Sequence, residues 1–212
     1  MLTSQRFLFN IPSDIVYLNT AFMSPLLKSV VDAISKGTQT KASPWKIKSN
    51  DFYDDVEKAR SLFSKIVNAN SNSIAIIPSA SYGIETAARN LSQSLQKDIV
   101  ILENQFPSNV YPWLRLAKEK NVSVRAISNN NSDVTSSLLN SIDEHCAVVS
   151  LPNVIWTTGQ TIDLIKIRQK CDIMNAALVL DLTQSAGAMP IDFNKVKPDF
   201  AVVANYKWML GP

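Results

Sequence analysis

A carboxylate and an amine each follow an apolar segment in the second half of the chain. Asp181 ends the run 177–180, and Lys207 follows the run 199–205. An ionised side chain at the end of a buried strand must be paired or hydrogen-bonded, because burying an isolated charge is costly. Gln184 lies three residues after Asp181 and could share its surroundings. Two ordinary alternatives stay open at this point: Asp181 as a helix cap and Lys207 as a solvent-facing lysine.

Small and aromatic residues follow other apolar segments. Residues 78–81 (Pro-Ser-Ala-Ser) directly precede a predicted helix, and the backbone N–H groups of a helix N-terminus favour an anion. Phe106 lies just past the apolar run 98–103, and residues 156–159 (Trp-Thr-Thr-Gly) follow the run 146–151 in the same way. The alternatives here are a helix-capping serine, a core aromatic residue and turn-forming threonines.

The elements that must position these residues alternate regularly from about residue 74. Apolar, β-branched runs are separated by segments whose apolar residues recur at helical spacing. Strands that scarcely alternate in polarity, each followed by a helix, are typical of a sheet covered on both faces. We therefore predict an α/β layered fold with a largely parallel sheet. The predicted strands are 73–77, 98–103, 122–127, 146–151, 176–182 and 199–205.

Helices are predicted between these strands and in the first 72 residues. One begins after Pro25, and the segment 51–68 has one apolar helical face. Ser132 and Asp133 are candidate caps of a later helix, and Asp163 opens another.

The carboxyl ends of parallel strands meet at one edge of a sheet, where ligands collect. The side chains named above would then share one site. Pyridoxal 5′-phosphate suits such a set, since its phosphate takes a helix N-terminus and its ring takes an aromatic plate. Its pyridine nitrogen takes a carboxylate and its aldehyde takes a lysine amine. The sequence therefore predicts a pyridoxal 5′-phosphate site in which Asp181 and Lys207 are the catalytic residues.

The chain resembles the class V aminotransferase family of fold-type I pyridoxal-phosphate enzymes, which includes kynureninases and cysteine desulfurases. The resemblance implies a three-layer α/β/α large domain over residues 16–212, incomplete at its C-terminus, with residues 1–15 joining a small domain. It also implies a homodimer. The matching residues are 17–21 (Tyr-Leu-Asn-Thr-Ala), 78–81, Asn153-Val154 with Gly159, 181–184 (Asp-Leu-Thr-Gln), Asp199-Phe200, Tyr206-Lys207 and Gly211-Pro212.

This resemblance assigns roles to individual residues. Lys207 corresponds to the Schiff-base lysine, which forms the cofactor aldimine, and Asp181 to the partner of the pyridinium nitrogen. Gln184 corresponds to the residue that hydrogen-bonds the phenolic oxygen. The implied activity is transamination of an amino acid, or lyase chemistry at its Cα or Cβ.

Further cofactor-binding positions follow from the same resemblance. Ala80 and Ser81 fall at the phosphate-binding turn, and Phe106 falls at the ring-stacking position. Tyr206 is expected to contact the phosphate or the ring edge, and Asn153 to approach the cofactor or substrate.

Several activities share this set of residues. In cysteine desulfurases of the family the stacking residue is His, whereas this chain has Phe106, and its single His145 precedes the run 146–151. This difference disfavours desulfurase activity and makes the chain more similar to kynureninase-like hydrolases. A non-catalytic scaffold is a further alternative. A dinucleotide-binding domain is disfavoured because the chain contains no GxGxxG turn.

Composition limits the other function classes. Among 212 residues, 46% are hydrophobic and the net charge is +3 without a basic patch, so nucleic acid is not an expected partner. No run of about 18 apolar residues predicts a membrane span, and one histidine disfavours a metal site. Two cysteines without CxxC spacing and the absence of a secretory signal predict reduced thiols in the cytoplasm.

The chain ends at Gly211-Pro212, a pair that normally marks a turn leading onward. We expect a longer protein, because the family's C-terminal domain, its carboxylate-binding arginine and a phosphate contact from the partner subunit would lie beyond residue 212. The 212-residue chain alone is therefore expected to turn over no substrate.

Overall fold

A sheet of five parallel strands, in the order β2-β1-β3-β4-β5, forms the centre of the computed structural model, which describes residues 3–92, 95–130 and 133–212. From β1 the chain crosses first to one neighbour and then back to the other, so the strand order reverses between β1 and β3. The strands are β1 Asp98–Leu102, β2 Val124–Ile127, β3 Cys146–Pro152, β4 Ala177–Asp181 and β5 Phe200–Val202.

Helices cover both faces of this sheet. Strand residues alternate between the two faces, so Ile99 and Ile101 join one apolar layer while Val100 and Leu102 join the other. The first layer contains residues of α3 and α4, and the second contains residues of α5, α6 and α7. The prediction of a three-layer α/β/α fold is confirmed. The helices are α1 Lys28–Lys41, α2 Asp54–Ile66, α3 Ala80–Leu91, α4 Tyr111–Lys120, α5 Val134–Ser141, α6 Leu164–Met174 and α7 Phe193–Val196.

Two of the predicted helix starts carry the expected caps. The Asp133 carboxylate accepts a hydrogen bond from the Ser136 N–H at 2.9 Å, and Asp163 accepts one from the Lys166 N–H at 3.1 Å. Each bond satisfies a backbone donor that has no partner within its own helix. The other candidate cap, Ser132, lies outside the described residues.

Residues 73–77, predicted as a strand, form none. Ser71–Ser73 is a 3₁₀ turn, and residues 74–77 pair with no strand among the residues that the structure describes. Ile77 packs instead against the layer that contains α3. Ile76 is exposed, so the apolar run is neither a strand nor fully buried; a strand needs a neighbour to satisfy its backbone groups.

Both cysteines are buried, whereas the two N-terminal helices bury few side chains. Cys146 and Cys171 are free and buried, as expected, and burial raises the pKa of Cys146 to about 11 and that of Cys171 to about 12. Helix α1 has no buried residue, and α2 buries only Ser64. Among the described residues, no helix combines the length and apolar character that crossing a membrane requires.

Candidate active site

Asp181 lies at the carboxyl end of β4 and is only 8% exposed. Its Oδ1 accepts a hydrogen bond from the Thr183 N–H at 3.0 Å. Burial raises the pKa of Asp181 because it penalises the ionised form, while hydrogen bonds from Thr183 and the charge of Lys207 act in the opposite direction. The carboxyl group caps no described helix.

Lys207 follows β5 and is 7% exposed, which excludes a solvent-facing lysine. Burial lowers the pKa of Lys207, and the nearby charge of Asp181 opposes that shift only in part. Its Nζ lies 5.7 Å from the centre of the Phe106 ring and 5.9 Å from that of Tyr206. The amine therefore points into a space bordered by aromatic rings.

Backbone contacts hold the ends of β4 and β5 together. The Leu182 N–H donates to the Val202 carbonyl at 2.9 Å, and the Ala204 N–H donates to Thr183 Oγ1 at 3.1 Å. Thr183 is thus bonded to Asp181 through its N–H and to the loop before Lys207 through its hydroxyl. These bonds bring the carboxyl and the amine to the same edge of the sheet.

The N-terminal segment also reaches this edge. The N–H and the hydroxyl of Ser24 both donate to the Tyr206 carbonyl, each at 3.0 Å. Gln184 donates from Nε2 to the Ala21 carbonyl and accepts from the Trp208 indole at Oε1, each at 2.9 Å. Gln184 therefore joins the N-terminal segment to the chain that follows Lys207.

Phe106 follows β1 and is 42% exposed, so it is not a core aromatic residue. Its ring meets that of Trp156 edge to face, with 5.9 Å between centroids and an interplanar angle of 89°. The Phe106 ring also faces the Lys207 amine. Phe106 lies in the loop after β1, and its partner Trp156 lies in the loop after β3, so the contact sits where the strand order reverses. Ligands of open α/β sheets bind outside the carboxyl ends of strands at such a position.

The N-terminus of α3 also lies beside this sheet edge. A Cβ atom on Gly83 would come within 2.4 Å of Val202 Cγ1, which shows how closely α3 approaches β5. Ser79 caps the helix by accepting from the Tyr82 N–H at 3.1 Å, as the ordinary alternative expected. Ala80 begins the helix, and the Ser81 hydroxyl lies 2.8 Å from that of Ser108.

Asn153 closes the loop that follows β3. Its Nδ2 donates to the Ile162 carbonyl at 3.1 Å, and its own carbonyl accepts from the Ile162 N–H at 2.9 Å. The side chain is buried, and it contributes directly to the shape of the loop. Its assignment as a cofactor or substrate contact stays a prediction.

The sequence assigned no role to Ser24 or Thr183, and it placed Trp156 after β3 without indicating its contacts. Ser24, Thr183 and Trp156 act through hydrogen bonds or ring contacts to residues distant in the sequence. The sequence signals were that Ser24 follows the matching segment 17–21, that Thr183 lies within 181–184, and that Trp156 follows the run 146–151.

The family model for class V aminotransferases matches residues 16–212. The chain belongs to this family. Class V aminotransferases depend on pyridoxal 5′-phosphate, so the predicted family and its cofactor are both confirmed.

Relatives with several names match the chain. It is 27% identical to a protein named probable cysteine desulfurase from Methanothermobacter thermautotrophicus, over 74% of this chain and 40% of that protein. It is 23% identical to an uncharacterized aminotransferase from Bacillus subtilis, over 91% of this chain and 52% of the relative. A kynureninase from Pseudomonas fluorescens is also 23% identical, over 96% of this chain and 50% of the kynureninase. The chain thus spans about half the length of the curated relatives it matches.

Solved structures support the same fold. The apo cysteine desulfurase from Thermococcus onnurineus superposes with a TM-score of 0.85 at 20% identity, covering 98% of this chain and 54% of that one. A C-DES variant with glycine covalently linked to its pyridoxal-phosphate cofactor gives a TM-score of 0.85 at 21% identity, covering 99% and 57%. At this identity the likeness shows the fold alone.

Proposed function

We propose that the chain forms the cofactor-binding part of a pyridoxal-phosphate enzyme that acts on an amino acid by transamination or by lyase chemistry at Cα or Cβ. One observation carries the proposal. A buried amine and a buried carboxyl, Lys207 and Asp181, lie at one sheet edge, and the amine faces the Phe106 ring. An amine, an acid and an aromatic plate are the groups that this cofactor requires of a protein.

The buried pair fits the cofactor chemically. The lowered pKa of Lys207 increases the fraction of neutral amine at neutral pH, and the neutral amine is the nucleophile that can attack an aldehyde. Asp181 is costly to ionise in its buried position unless a cation lies beside it, and a protonated pyridine nitrogen would supply that cation. When bound, the cofactor withdraws electrons from the Cα of an amino acid.

The remaining residues would hold the cofactor in the roles assigned by the resemblance. Phe106 would stack on the ring, and Gln184 would bond its phenolic oxygen. The start of α3, at Ala80 and Ser81, would bind the phosphate through backbone N–H groups. Two further contacts would come from Tyr206 and Asn153.

Lys207 is also suited to moving a proton at the substrate Cα. A group with a pKa near the working pH can both accept and donate a proton, and burial shifts Lys207 in that direction. Phe106 carries no titratable group, so it can stack but cannot transfer protons. This supports transamination or kynureninase-like hydrolysis over cysteine desulfuration. A non-catalytic scaffold would have no need of a buried amine near a buried acid.

The wider assembly is part of the same proposal. Residues 16–212 would form most of a large domain, residues 1–15 would join a small domain, and the enzyme would act as a cytoplasmic homodimer. Apolar side chains exposed on α1 and α2 support a subunit interface, among them Val31, Ile34, Leu62 and Ile66.

Covalent labelling tests the proposal. The chain is mixed with pyridoxal 5′-phosphate, reduced with borohydride and digested, and the tagged peptide is sequenced. We expect a visible absorbance band and a tag on Lys207, both lost in Lys207→Ala. The matched control is Lys36→Ala, which removes an exposed lysine of α1 and should keep both signals. A tag on other lysines with none on Lys207 would contradict the proposal.

A further inference from the structure

The position of Phe106 poses a structural problem. The residue lies in an irregular segment between β1 and α4, with 42% of its surface exposed, yet its ring must stay over the Lys207 amine to act as a stacking plate. An exposed phenylalanine in a loop normally samples several rotamers. A fixed orientation of the Phe106 ring therefore requires contacts from outside this segment.

Trp156 makes two contacts with this segment. Its indole Nε1–H donates to the Asn104 carbonyl at 2.9 Å, and its ring packs edge to face with Phe106 at 5.9 Å. Asn104 has a φ of 54°, in the left-handed region, so the chain turns sharply at the point where the indole binds it. One side chain therefore fixes the backbone before Phe106 and limits the rotation of its ring.

The backbone after Phe106 is held separately. The Asn109 N–H donates to the Phe106 carbonyl at 2.9 Å, and Asn109 Oδ1 accepts from the Ser150 hydroxyl at 2.6 Å. Asn109 and Ser150 are completely buried. This anchor secures the backbone of the segment to β3, whereas the Phe106 ring itself meets Trp156.

Trp156 is itself held in a closed loop. Asn153 and Ile162 exchange two hydrogen bonds at the base of the loop, and Ile155 bonds the Gln160 carbonyl nearer its tip at 2.9 Å. Gly159, with a φ of 74°, allows the turn. A half-exposed tryptophan on such a loop can act as a fixed support rather than as a mobile side chain.

We propose that Trp156 is a positioning residue that fixes the Phe106 ring over Lys207. The inference rests on the proposed function only in the role of Phe106 as the stacking plate. Trp156 touches no reacting atom in this account and acts through Phe106. Its loss should loosen the segment 104–109 in the cofactor-free chain and weaken cofactor binding.

Hydrogen exchange of the cofactor-free chain tests the first consequence. In Trp156→Ala we expect the amide protons of residues 104–109 to exchange about tenfold faster, since an edge-to-face ring contact and a hydrogen bond are both lost. Trp45→Ala is the matched control, because Trp45 is 78% exposed in a separate turn, and it should leave these protons unchanged. Equal exchange in the two variants would overturn the inference, whether or not the chain binds cofactor.

A double-mutant cycle tests the second consequence. We expect Trp156→Ala to weaken pyridoxal 5′-phosphate binding about tenfold in the wild-type background and to have little effect when Phe106 is already Leu. Trp156→Phe, which keeps a ring but loses the Nε1–H donor, should fall between. Equal weakening in both backgrounds would mean that Trp156 does not act through Phe106 and would overturn the inference. Failure of the wild-type chain to bind cofactor would instead contradict the proposed function, and the exchange measurement would still decide the role of Trp156.

Discussion

Removing both members of the buried pair should stabilise the cofactor-free chain. Burial raises the pKa of Asp181 and lowers that of Lys207, so for each group desolvation outweighs the attraction between them. The pair therefore opposes folding. Replacing buried ion pairs by groups of similar volume has stabilised other proteins by about 1–4 kcal/mol. For Asp181→Asn combined with Lys207→Met we expect about 1–3 kcal/mol at pH 7.

The pH dependence gives this prediction a distinctive form. The Asp181 penalty is absent below about pH 4, where the acid is neutral in both states, grows as pH rises above the unfolded-state pKa, and is complete above the raised folded-state pKa. The Lys207 penalty is present below its lowered folded-state pKa and disappears above about pH 10, where the amine is neutral in both states. The stability difference between the double variant and the wild type should therefore be largest near neutral pH and shrink on either side.

Urea unfolding of the cofactor-free proteins at a series of pH values provides the assay. A double variant that is less stable than the wild type at pH 7 would refute the reasoning, since the pair would then contribute net stability. A stability difference that stays constant from pH 4 to pH 10 would refute it too. Asp181→Asn alone should lower the pKa of Lys207 further, because the Asp181 charge that opposes this lowering is gone. The pH profile of reductive methylation at Lys207 measures that shift.

Three smaller predictions concern packing and position. Gly83→Ala should cost about 1–3 kcal/mol of unfolding free energy, since its Cβ would come within 2.4 Å of Val202 Cγ1. Gly37→Ala should stabilise α1 by about 0.5–1 kcal/mol, because no atom lies within 4 Å of the added Cβ and alanine favours a helix. Equal changes of unfolding free energy in these two glycine variants would contradict both predictions. Ser24→Ala should cost about 1 kcal/mol of unfolding free energy, because it removes the hydroxyl bond to the Tyr206 carbonyl. Ser35→Ala, on exposed α1, should change stability by less. Thermal unfolding of both variants measures the difference.

The sequence predicted most of the sheet, because buried strands appear in the sequence as short apolar, β-branched runs. Five of the six apolar runs became strands, and α5 and α6 began at the expected capping residues Asp133 and Asp163. Segment 73–77 did not form a strand: Ile77 packs against the α3 layer and Ile76 is exposed, and the segment pairs with no described strand. An apolar run alone does not make a strand, because pairing depends on a neighbouring strand supplied elsewhere in the chain.

The sequence also predicted that Asp181 and Lys207 lie at the same edge of the sheet. Asp181 ends β4, and Lys207 follows β5, which spans Phe200–Val202 and is shorter than the predicted strand 199–205. Parallel strands bring their carboxyl ends to one edge of the sheet, so both residues were expected there. The likeness of the motifs to a known family then assigned their roles.

Only the tertiary structure decided how those residues are held. The bond from Ser24 to the Tyr206 carbonyl spans 182 positions in the sequence, and the Trp156 indole reaches Asn104 across 52. Such contacts depend on how loops from separate strands meet, which no local pattern encodes. The sequence by itself determined which groups stand at the sheet edge, and the fold decided their burial and support, because desolvation and ring packing arise only when distant segments come together.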